Sequence, residues 1–271
     1  MVGTMEKQQV GYDDVSLVHT LSCGQCFRWK EAGPGIWSGI VGSSAYSLAE
    51  ADTVPGGSIY TDSRLSHYFD LQHSYKHIIS ELSSLHPVLS KAVASAPGLR
   101  VLRQNPFETL ISFIISQNNN IPRISGIIER ISTAWGKPLE NAGGRCAFPS
   151  ALELLAADEK ALRALGAGFR APYIIDAAVL VASGALDLQE VALMPLQEAR
   201  QALQQVRGVG PKVAECVLLY GLGRLDAFPL DVWMNRAMAE LFPGLTPSFF
   251  GPYAGIAQQY IFHYIRNLDQ G

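Results

Sequence analysis

The spacing of hydrophobic residues changes from a strand-like to a helix-like period between residues 48 and 66. Over residues 26–48, aromatic and β-branched residues alternate with polar ones, most clearly at 37–41, and Gly33-Pro34-Gly35 is a turn signal, so we predict antiparallel strands. From about Ser66 onward, hydrophobic residues recur three and four positions apart, as at Tyr75, Ile78, Ile79 and Leu82. This period predicts helices over residues 123–136, 150–165, 172–184, 196–206, 211–221, 232–241 and 252–267.

This change of period indicates an α+β protein. We expect an N-terminal antiparallel β-sheet domain with some helices over residues 1–95, packed on a mostly α-helical domain over residues 96–271. The length of 271 residues agrees with two domains, because a domain commonly holds about 100–200 residues.

Composition excludes two classes of protein. Apolar residues make up 48% of the chain and charged residues 17%, which is sufficient for a core and excludes a disordered chain. No apolar run approaches the roughly 18–20 residues that a membrane-spanning helix needs. Four cysteines without a secretory signal indicate a reducing, intracellular setting.

Charge is distributed unevenly along the chain. The formal net charge of −3 argues against a protein that coats nucleic acid by charge alone. Residues 1–70 nevertheless sum to −4, whereas residues 100–137 sum to +3. A basic segment of this kind is either a solvated helix face or part of a binding surface.

A glycine-rich turn, Gly208-Val209-Gly210, separates two predicted helices, and Pro211 stands in the first turn of the second helix. The glycines permit a tight turn whose backbone N–H groups can hold a phosphate oxygen. The pattern is typical of a helix–hairpin–helix that grips one DNA strand. An ordinary turn between two helices, with glycine caps, is the alternative.

Lys212 follows in the first turn of that second helix, where the helix dipole disfavours a cation. It is therefore either solvated or kept in surroundings that favour the neutral amine. A nucleophilic lysine needs the neutral form, because an ordinary lysine is protonated at neutral pH. The segment alone leaves both interpretations open.

Asp231 comes nineteen residues after Lys212 and directly precedes a predicted helix. Its simplest interpretation is an N-cap. A capping carboxylate is also held rigidly as an anion, and such a group can stabilise a positively charged sugar as a base leaves.

Together, Gly208-Val209-Gly210-Pro211-Lys212 and Pro229-Leu230-Asp231 resemble the helix–hairpin–helix, Gly/Pro…Asp superfamily of DNA glycosylases, and within it the 8-oxoguanine DNA glycosylase family. Further segments resemble that family in the same order and extend the resemblance from about residue 20 to residue 265. These segments are residues 23–29, 99–108, 112–124, 165–171 and 252–258.

The resemblance implies a bifunctional enzyme of base excision repair that removes 8-oxoguanine, opposite cytosine, from duplex DNA. It assigns Lys212 as the nucleophile that attacks the sugar C1′ of a flipped-out nucleotide, and Asp231 as its electrostatic partner. The resulting Schiff base permits β-elimination, which is a lyase activity. Gly208, Val209 and Gly210 are implied to contact a DNA phosphate.

The resemblance also assigns residues to the space that the flipped base vacates. Asn118, Arg123 and Arg170 match positions that fill this space and hydrogen-bond the orphaned cytosine, and Phe169 matches an aromatic wedge. Without the resemblance, Asn118 belongs to a polar cluster at a helix end, and the choice between a core residue and a wedge stays open for Phe169.

Four residues match the family's base pocket: Gly24, Cys216, Gln258 and Phe262. By resemblance, Phe262 and Cys216 sandwich the purine and Gln258 reads its Watson–Crick edge. The Gly24 carbonyl accepts the N7–H that 8-oxoguanine has and guanine lacks. Gln258 and Phe262 are four residues apart and so share one helix face. Without the resemblance, Gly24 is a turn residue and Phe262 a core residue.

Cys23 and Cys26 form a C-x-x-C pair, a spacing also found in zinc and redox sites. Cys146 and Cys216 are 70 residues apart and give no second pair, and strand-like sequence rather than a helix follows Cys26. The cysteine cluster that holds an iron–sulfur group in some relatives is absent. We therefore expect neither a metal nor a cofactor.

Two positions depart from the family pattern, since Trp233 stands where a histidine is expected and Ile265 where an acidic residue is expected. The preference for the opposite base is therefore open. The rival functions are removal of a different damaged base and non-catalytic DNA binding. We expect an intracellular monomer, in the cytoplasm and nucleoid of a bacterium or in the nucleus of a eukaryote. It should bind duplex DNA that contains 8-oxoguanine, and it should not bind a membrane.

Overall fold

The computed structural model describes residues 7–8, 15–50, 59–60 and 62–268, with the backbone alone at 7–8 and 59–60. The chain divides into two compact units. The first unit comprises residues 1–38, 47–103 and 225–271, and the second unit comprises residues 39–46 and 104–224. The domain boundary after residue 95 stays a prediction.

The strands lie in the N-terminal part of the chain. They are β1 (Lys7–Gln8), β2 (Lys30–Gly33), β3 (Ile36–Val41), β4 (Ser44–Ala49) and β5 (Ile59–Tyr60). A three-stranded sheet has the order β2-β3-β4, and β2 pairs antiparallel with β3, Glu31 opposite Trp37. Pro34 and Gly35 form the turn, where Gly35 adopts a φ of +68° that favours glycine.

Helices make up most of the remaining described chain. They are α1 (Leu17–Leu21), α2 (Ser63–Tyr68), α3 (Tyr75–Leu85), α4 (Pro87–Ser95), α5 (Pro106–Ser116), α6 (Ile121–Trp135), α7 (Ala151–Leu154), α8 (Glu159–Ala164), α9 (Ala171–Ala182), α10 (Leu188–Leu193), α11 (Leu196–Leu203), α12 (Pro211–Cys216), α13 (Val232–Leu241) and α14 (Ala254–Leu268). The predicted α+β class is confirmed. No helix in the described part of the chain is long and apolar enough to cross a membrane.

Two predicted helices are divided in the structure. Residues 150–165 form α7 and α8, because Asp158 accepts a hydrogen bond from the Ala161 N–H at 2.6 Å and so starts a new helix. Residues 211–221 form α12 and then a π-helical turn at Val217–Gly221. The predicted helix over 196–206 ends at Leu203, which leaves residues 204–210 as the connection to α12.

The core of the first unit is built around α14, which packs against α4 and α13. Tyr260 of α14 is fully buried, and its hydroxyl donates to the Leu99 carbonyl at 3.1 Å. Aromatic rings extend this core, with Phe228 and Phe250 stacked at 5.3 Å between centroids.

The core of the second unit is built around α5, which packs against α6, α9, α12 and the π-helical turn. Leu110, Ile111 and Ile114 of α5 have no exposed surface. Asn105 begins this helix by accepting a hydrogen bond from the Glu108 N–H at 3.0 Å. A rigid central helix thus supports the segments on either side of it.

Candidate active site

The glycine turn between α11 and α12 contains two glycines with different requirements. Gly208 has a φ of +81°, and a Cβ added there would lie 2.2 Å from the ring of Tyr173. Gly210 has an ordinary φ of −94° as the N-cap of α12, and an added Cβ would meet no heavy atom within 4 Å. Val209, between them, is buried. The fold therefore needs glycine at 208, whereas it leaves room at 210.

Lys212 is the second residue of α12 and is half-buried. Its Nζ lies 5.1 Å from the ring centroid of Phe113, which stacks in turn on Tyr220 at 5.5 Å. No carboxylate of the described second unit forms an ion pair with Lys212. The buried Cys216 lies one helical turn after Lys212, on the same face of α12. Within the described second unit, the amine therefore lies against an aromatic surface and not beside a carboxylate.

A second group of predicted site residues surrounds the start of α9. The buried Arg170 donates from Nε to the Gln117 carbonyl at 2.9 Å and from Nη2 to the Asn118 carbonyl at 3.1 Å. Its guanidinium carbon lies 4.3 Å from the ring centroid of Phe169. Burial, and secondarily the charge of Arg123, lowers the pKa of Arg170. The structure thus brings Asn118, Arg123, Phe169 and Arg170 into one cluster.

Exposure within this cluster bears on how each residue can act. Phe169 is 47% exposed, which is unusual for a phenylalanine and argues against a core role. Arg123 is exposed near the start of α6. Asn118 has a left-handed φ of +47°, a conformation that asparagine tolerates better than most residues. Asn120, by contrast, is the N-cap of α6, where it accepts from the Arg123 N–H at 3.0 Å.

The first unit holds the remaining predicted residues. Gly24 has a φ of +81° in a loop that the buried Gln25 fixes, because the Gln25 amide donates to the Arg100 carbonyl and its oxygen accepts from the Leu102 N–H. The neighbouring Cys23 carbonyl accepts from Gln259 of α14 at 3.4 Å. The Gly24 loop is therefore tied to the helix that carries Gln258 and Phe262.

On α14, Gln258 is buried and Phe262 is half-buried one turn later. The Arg266 guanidinium carbon lies 5.4 Å from the Phe262 ring centroid. Phe262 is accordingly only partly a core residue.

Asp231 is the N-cap of α13, as predicted from its position before the helix. One carboxylate oxygen accepts from the Met234 N–H at 2.9 Å. The residue is partly exposed. Exposed apolar side chains lie on both sides of it, with Leu230 at 36% and Val232 at 83% exposure.

The C-x-x-C cysteines belong to the interior of the first unit. Both are buried, neither forms a disulfide within the described residues, and burial raises the pKa of Cys23 to about 11. The Cys23 thiol donates to the Thr20 carbonyl at 3.1 Å. The described residues contain no group of three or more His, Cys, Asp or Glu side chains that could hold a metal ion.

Residues outside the predicted set hold these segments in place. Gln25 and Gln259 fix the Gly24 loop. On α9, Tyr173 contacts Gly208 of the glycine turn, and Asp176 accepts from the N–H of Arg207 directly before that turn. Gln25 lies inside the C-x-x-C pair, within the segment 23–29 that resembles the family, and this position was a usable signal for it. Nothing in the sequence marks Tyr173, because its partner lies 35 residues away at Gly208.

Comparison with known proteins gives two family matches. Residues 8–110 match the 8-oxoguanine DNA glycosylase, N-terminal domain, and residues 111–246 match the HhH-GPD superfamily base excision DNA repair protein. Together these matches cover most of the chain.

Individual relatives match over similar lengths. The chain is 32% identical to the N-glycosylase/DNA lyase OGG1 of Arabidopsis thaliana, over 93% of this chain and 77% of that protein. It is 36% identical to the N-glycosylase/DNA lyase of Saccharomyces cerevisiae, over 85% of this chain and 69% of that protein. Its fold is similar to that of the Clostridium acetobutylicum 8-oxoguanine glycosylase/lyase in complex with dsDNA containing cytosine opposite to 8-oxoG. That match has a TM-score of 0.86 and 34% identity, and covers 97% of this chain and 98% of that one.

Proposed function

Since the chain belongs to the 8-oxoguanine DNA glycosylase family of the HhH-GPD superfamily, we propose that it excises 8-oxoguanine paired with cytosine from duplex DNA and then cleaves the abasic site as a lyase. The observation that carries this proposal is the setting of Lys212. Its amine follows directly after a glycine hairpin and lies against Phe113, with no carboxylate partner in the described second unit. A lysine that only stabilised the fold would gain more from a counter-ion or full solvation.

The chemistry follows from an amine attacking a sugar. The Lys212 Nζ forms a bond to C1′ of the flipped-out nucleotide while the N-glycosidic bond breaks, and the base leaves with that electron pair and a proton. Loss of the amine proton and ring opening give a Schiff base. Removal of a C2′ proton then expels the 3′ phosphate by β-elimination. Asp231 stabilises the positive charge that develops on the sugar.

The glycine hairpin supplies the grip on DNA. Gly210 leaves open space beside the N–H groups that begin α12, and those groups have no partner within the helix. A phosphate oxygen can approach there without meeting a side chain. DNA affinity should therefore fall as salt concentration rises.

Recognition of the pair is assigned to the two remaining sets of residues. The exposed ring of Phe169 enters the stack, and Asn118, Arg123 and Arg170 take up the orphaned cytosine. Because Arg170 donates a hydrogen bond to the backbone carbonyl of Asn118, it also stabilises the turn that contains Asn118. Gly24, Cys216, Gln258 and Phe262 take up the damaged purine. A DNA substrate also agrees with the expected intracellular location.

The test is covalent trapping. The protein is incubated with a duplex carrying 8-oxoguanine opposite cytosine, and borohydride is added to reduce any Schiff base. We expect a covalent complex with the unmodified protein. We expect none with Lys212→Gln, whose single-turnover excision should fall at least about 10³-fold while DNA binding remains. Lys160→Gln, at an exposed position of α8, is the matched control and should trap normally.

Three results would contradict the proposal. Trapping that persists in Lys212→Gln would remove the nucleophile assignment. DNA binding without release of any base by the unmodified protein would favour a non-catalytic module. Release of an alkylated base in preference to 8-oxoguanine would assign a different substrate within the superfamily.

A further inference from the structure

Tyr173 of α9 contacts two parts of the second unit that the proposed function treats separately. Its ring meets the ring of Phe169 edge-on, with 6.2 Å between centroids and 77° between planes. The same ring lies against Gly208 of the hairpin, so closely that a Cβ there would come within 2.2 Å of it. The Tyr173 ring therefore contacts both the exposed wedge and the glycine turn.

A second side chain of α9 binds the residue directly before the same turn. Asp176, three residues after Tyr173 and on the same helix face, accepts a hydrogen bond from the Arg207 N–H at 2.7 Å. The Arg207 guanidinium carbon lies 5.7 Å from the Tyr173 ring centroid. The hairpin is thus fixed to α9 by a polar and an aromatic contact.

The row of contacts continues beyond the wedge. Arg170 stacks on Phe169 and donates to the carbonyls of Gln117 and Asn118. An unbroken series of packed groups therefore joins the Asn118 turn, the wedge and the hairpin. Tyr173 is the member of this series that touches both the wedge and the hairpin.

We propose that Tyr173 is a positioning residue that sets the spacing between the point where Phe169 opens the DNA stack and the phosphate that the hairpin holds. The inference rests on the proposed function. Opening a stack is unfavourable unless the phosphate contacts that offset it form at the same time. A ring packed between wedge and hairpin makes the two events depend on each other, because neither segment can shift without displacing it.

The test is a double-mutant cycle carried out in two backgrounds. Phe169→Ala and Gly210→Ala are measured singly and together, first with Tyr173 and then with Tyr173→Leu. The readouts are the dissociation constant for a duplex with 8-oxoguanine opposite cytosine and the fluorescence of 2-aminopurine placed beside the lesion. With Tyr173 present, we expect the effects of the two substitutions on the dissociation constant to depart from additivity by at least about fivefold. In Tyr173→Leu, we expect these effects to be additive within about twofold.

Two further variants separate positioning from stability. Tyr173→Phe keeps the ring and should retain the full coupling between the wedge and the hairpin substitutions. Asp176→Ala keeps the ring but removes the second contact with the hairpin, and it should reduce the coupling at least about twofold even if Tyr173→Leu does not fold. For each variant, the concentration of folded, binding-competent protein is determined by titration with the duplex.

The outcomes are distinct from those of the excision assay. The proposal is overturned if Tyr173→Leu lowers the melting temperature but leaves the coupling between Phe169→Ala and Gly210→Ala unchanged. It is also overturned if these two substitutions are additive in the protein that keeps Tyr173. Both readouts report binding and stack opening rather than base release. A protein that couples wedge and hairpin without excising 8-oxoguanine would therefore contradict the proposed function and leave this inference standing.

Discussion

At the scale of single residues, Asp231 combines a structural and an electrostatic task. One carboxylate oxygen caps α13 by accepting the Met234 N–H at 2.9 Å. Asparagine caps helices about as well, so Asp231→Asn should change the free energy of unfolding by less than about 0.5 kcal/mol. Loss of the negative charge should lower the single-turnover excision rate by roughly 10²–10³-fold.

Asp231→Ala is the matched control for this prediction. It removes cap and charge together, so it should lose about 1 kcal/mol of stability in urea unfolding as well as the excision rate. If Asp231→Asn excises as fast as the unmodified protein, the residue acts as a cap alone.

Arg170 shows what a sequence can and cannot say about a residue. Its position in the segment 165–171 predicted a functional guanidinium, and the structure places it in a cluster with Phe169 and Asn118. Two of its acceptors are the backbone carbonyls of Asn118 and Gln117, 52 and 53 residues earlier in the chain. Only the packing of α5 against α9 brings them together, so no local pattern could have indicated them.

At the scale of elements, the glycine hairpin offers a pair of substitutions with opposite expectations. Gly208→Ala combines a φ of +81° with a clash against Tyr173, and should lower the free energy of unfolding by about 2–4 kcal/mol. Gly210→Ala meets open space and should lower it by less than about 1 kcal/mol. Its methyl group would instead obstruct a phosphate, so DNA affinity should fall about tenfold.

Urea unfolding and fluorescence anisotropy with duplex DNA measure the two effects separately. The prediction concerns the contrast between the variants. It is wrong if Gly210→Ala binds DNA as tightly as the unmodified protein, or if Gly208→Ala is as stable as Gly210→Ala.

The helical period predicted most elements of the second unit but not where they break. Residues 150–165 keep a helical spacing throughout, yet Asp158 starts a new helix because its side chain satisfies the Ala161 N–H. Aspartate inside a helical pattern is an ambiguous signal, since it is also found on exposed helix faces. The π-helical turn at Val217–Gly221 likewise has no local signature. It ends at Gly221, where an added Cβ would come within 3.1 Å of Thr109 of α5.

At the scale of the whole molecule, the α+β class was predictable because the hydrophobic period itself changes along the chain. The return of the chain to the first unit at residue 225 was not predictable from this period. That return depends on the packing of α14 against α4 and α13. The apolar face of a helix does not specify which other helix it packs against. Long-range packing of this kind is decided by shape rather than by local sequence.

A pair of histidines makes the stability of the fold depend on pH. The Nδ1 atom of His19 and the Nε2 atom of His263 lie 3.2 Å apart in the first unit. Burial, followed by the charges of His19 and Arg266, lowers the pKa of His263 to about 4. Burial also lowers the pKa of His19, against the raising effect of Glu50.

Because an ordinary histidine has a pKa of 6.5, the unfolded chain binds more protons than the folded one between pH 6.5 and about 4. The free energy of unfolding should therefore be fully retained above this window and fall as the pH is lowered through it. His263→Gln removes one of the two groups, so its melting temperature should decline less steeply with falling pH than that of the unmodified protein. His77→Gln, at an exposed position of α3, should follow the unmodified slope. Equal slopes for all three proteins, measured by thermal unfolding at several pH values, would show that other groups control the acid sensitivity of the fold.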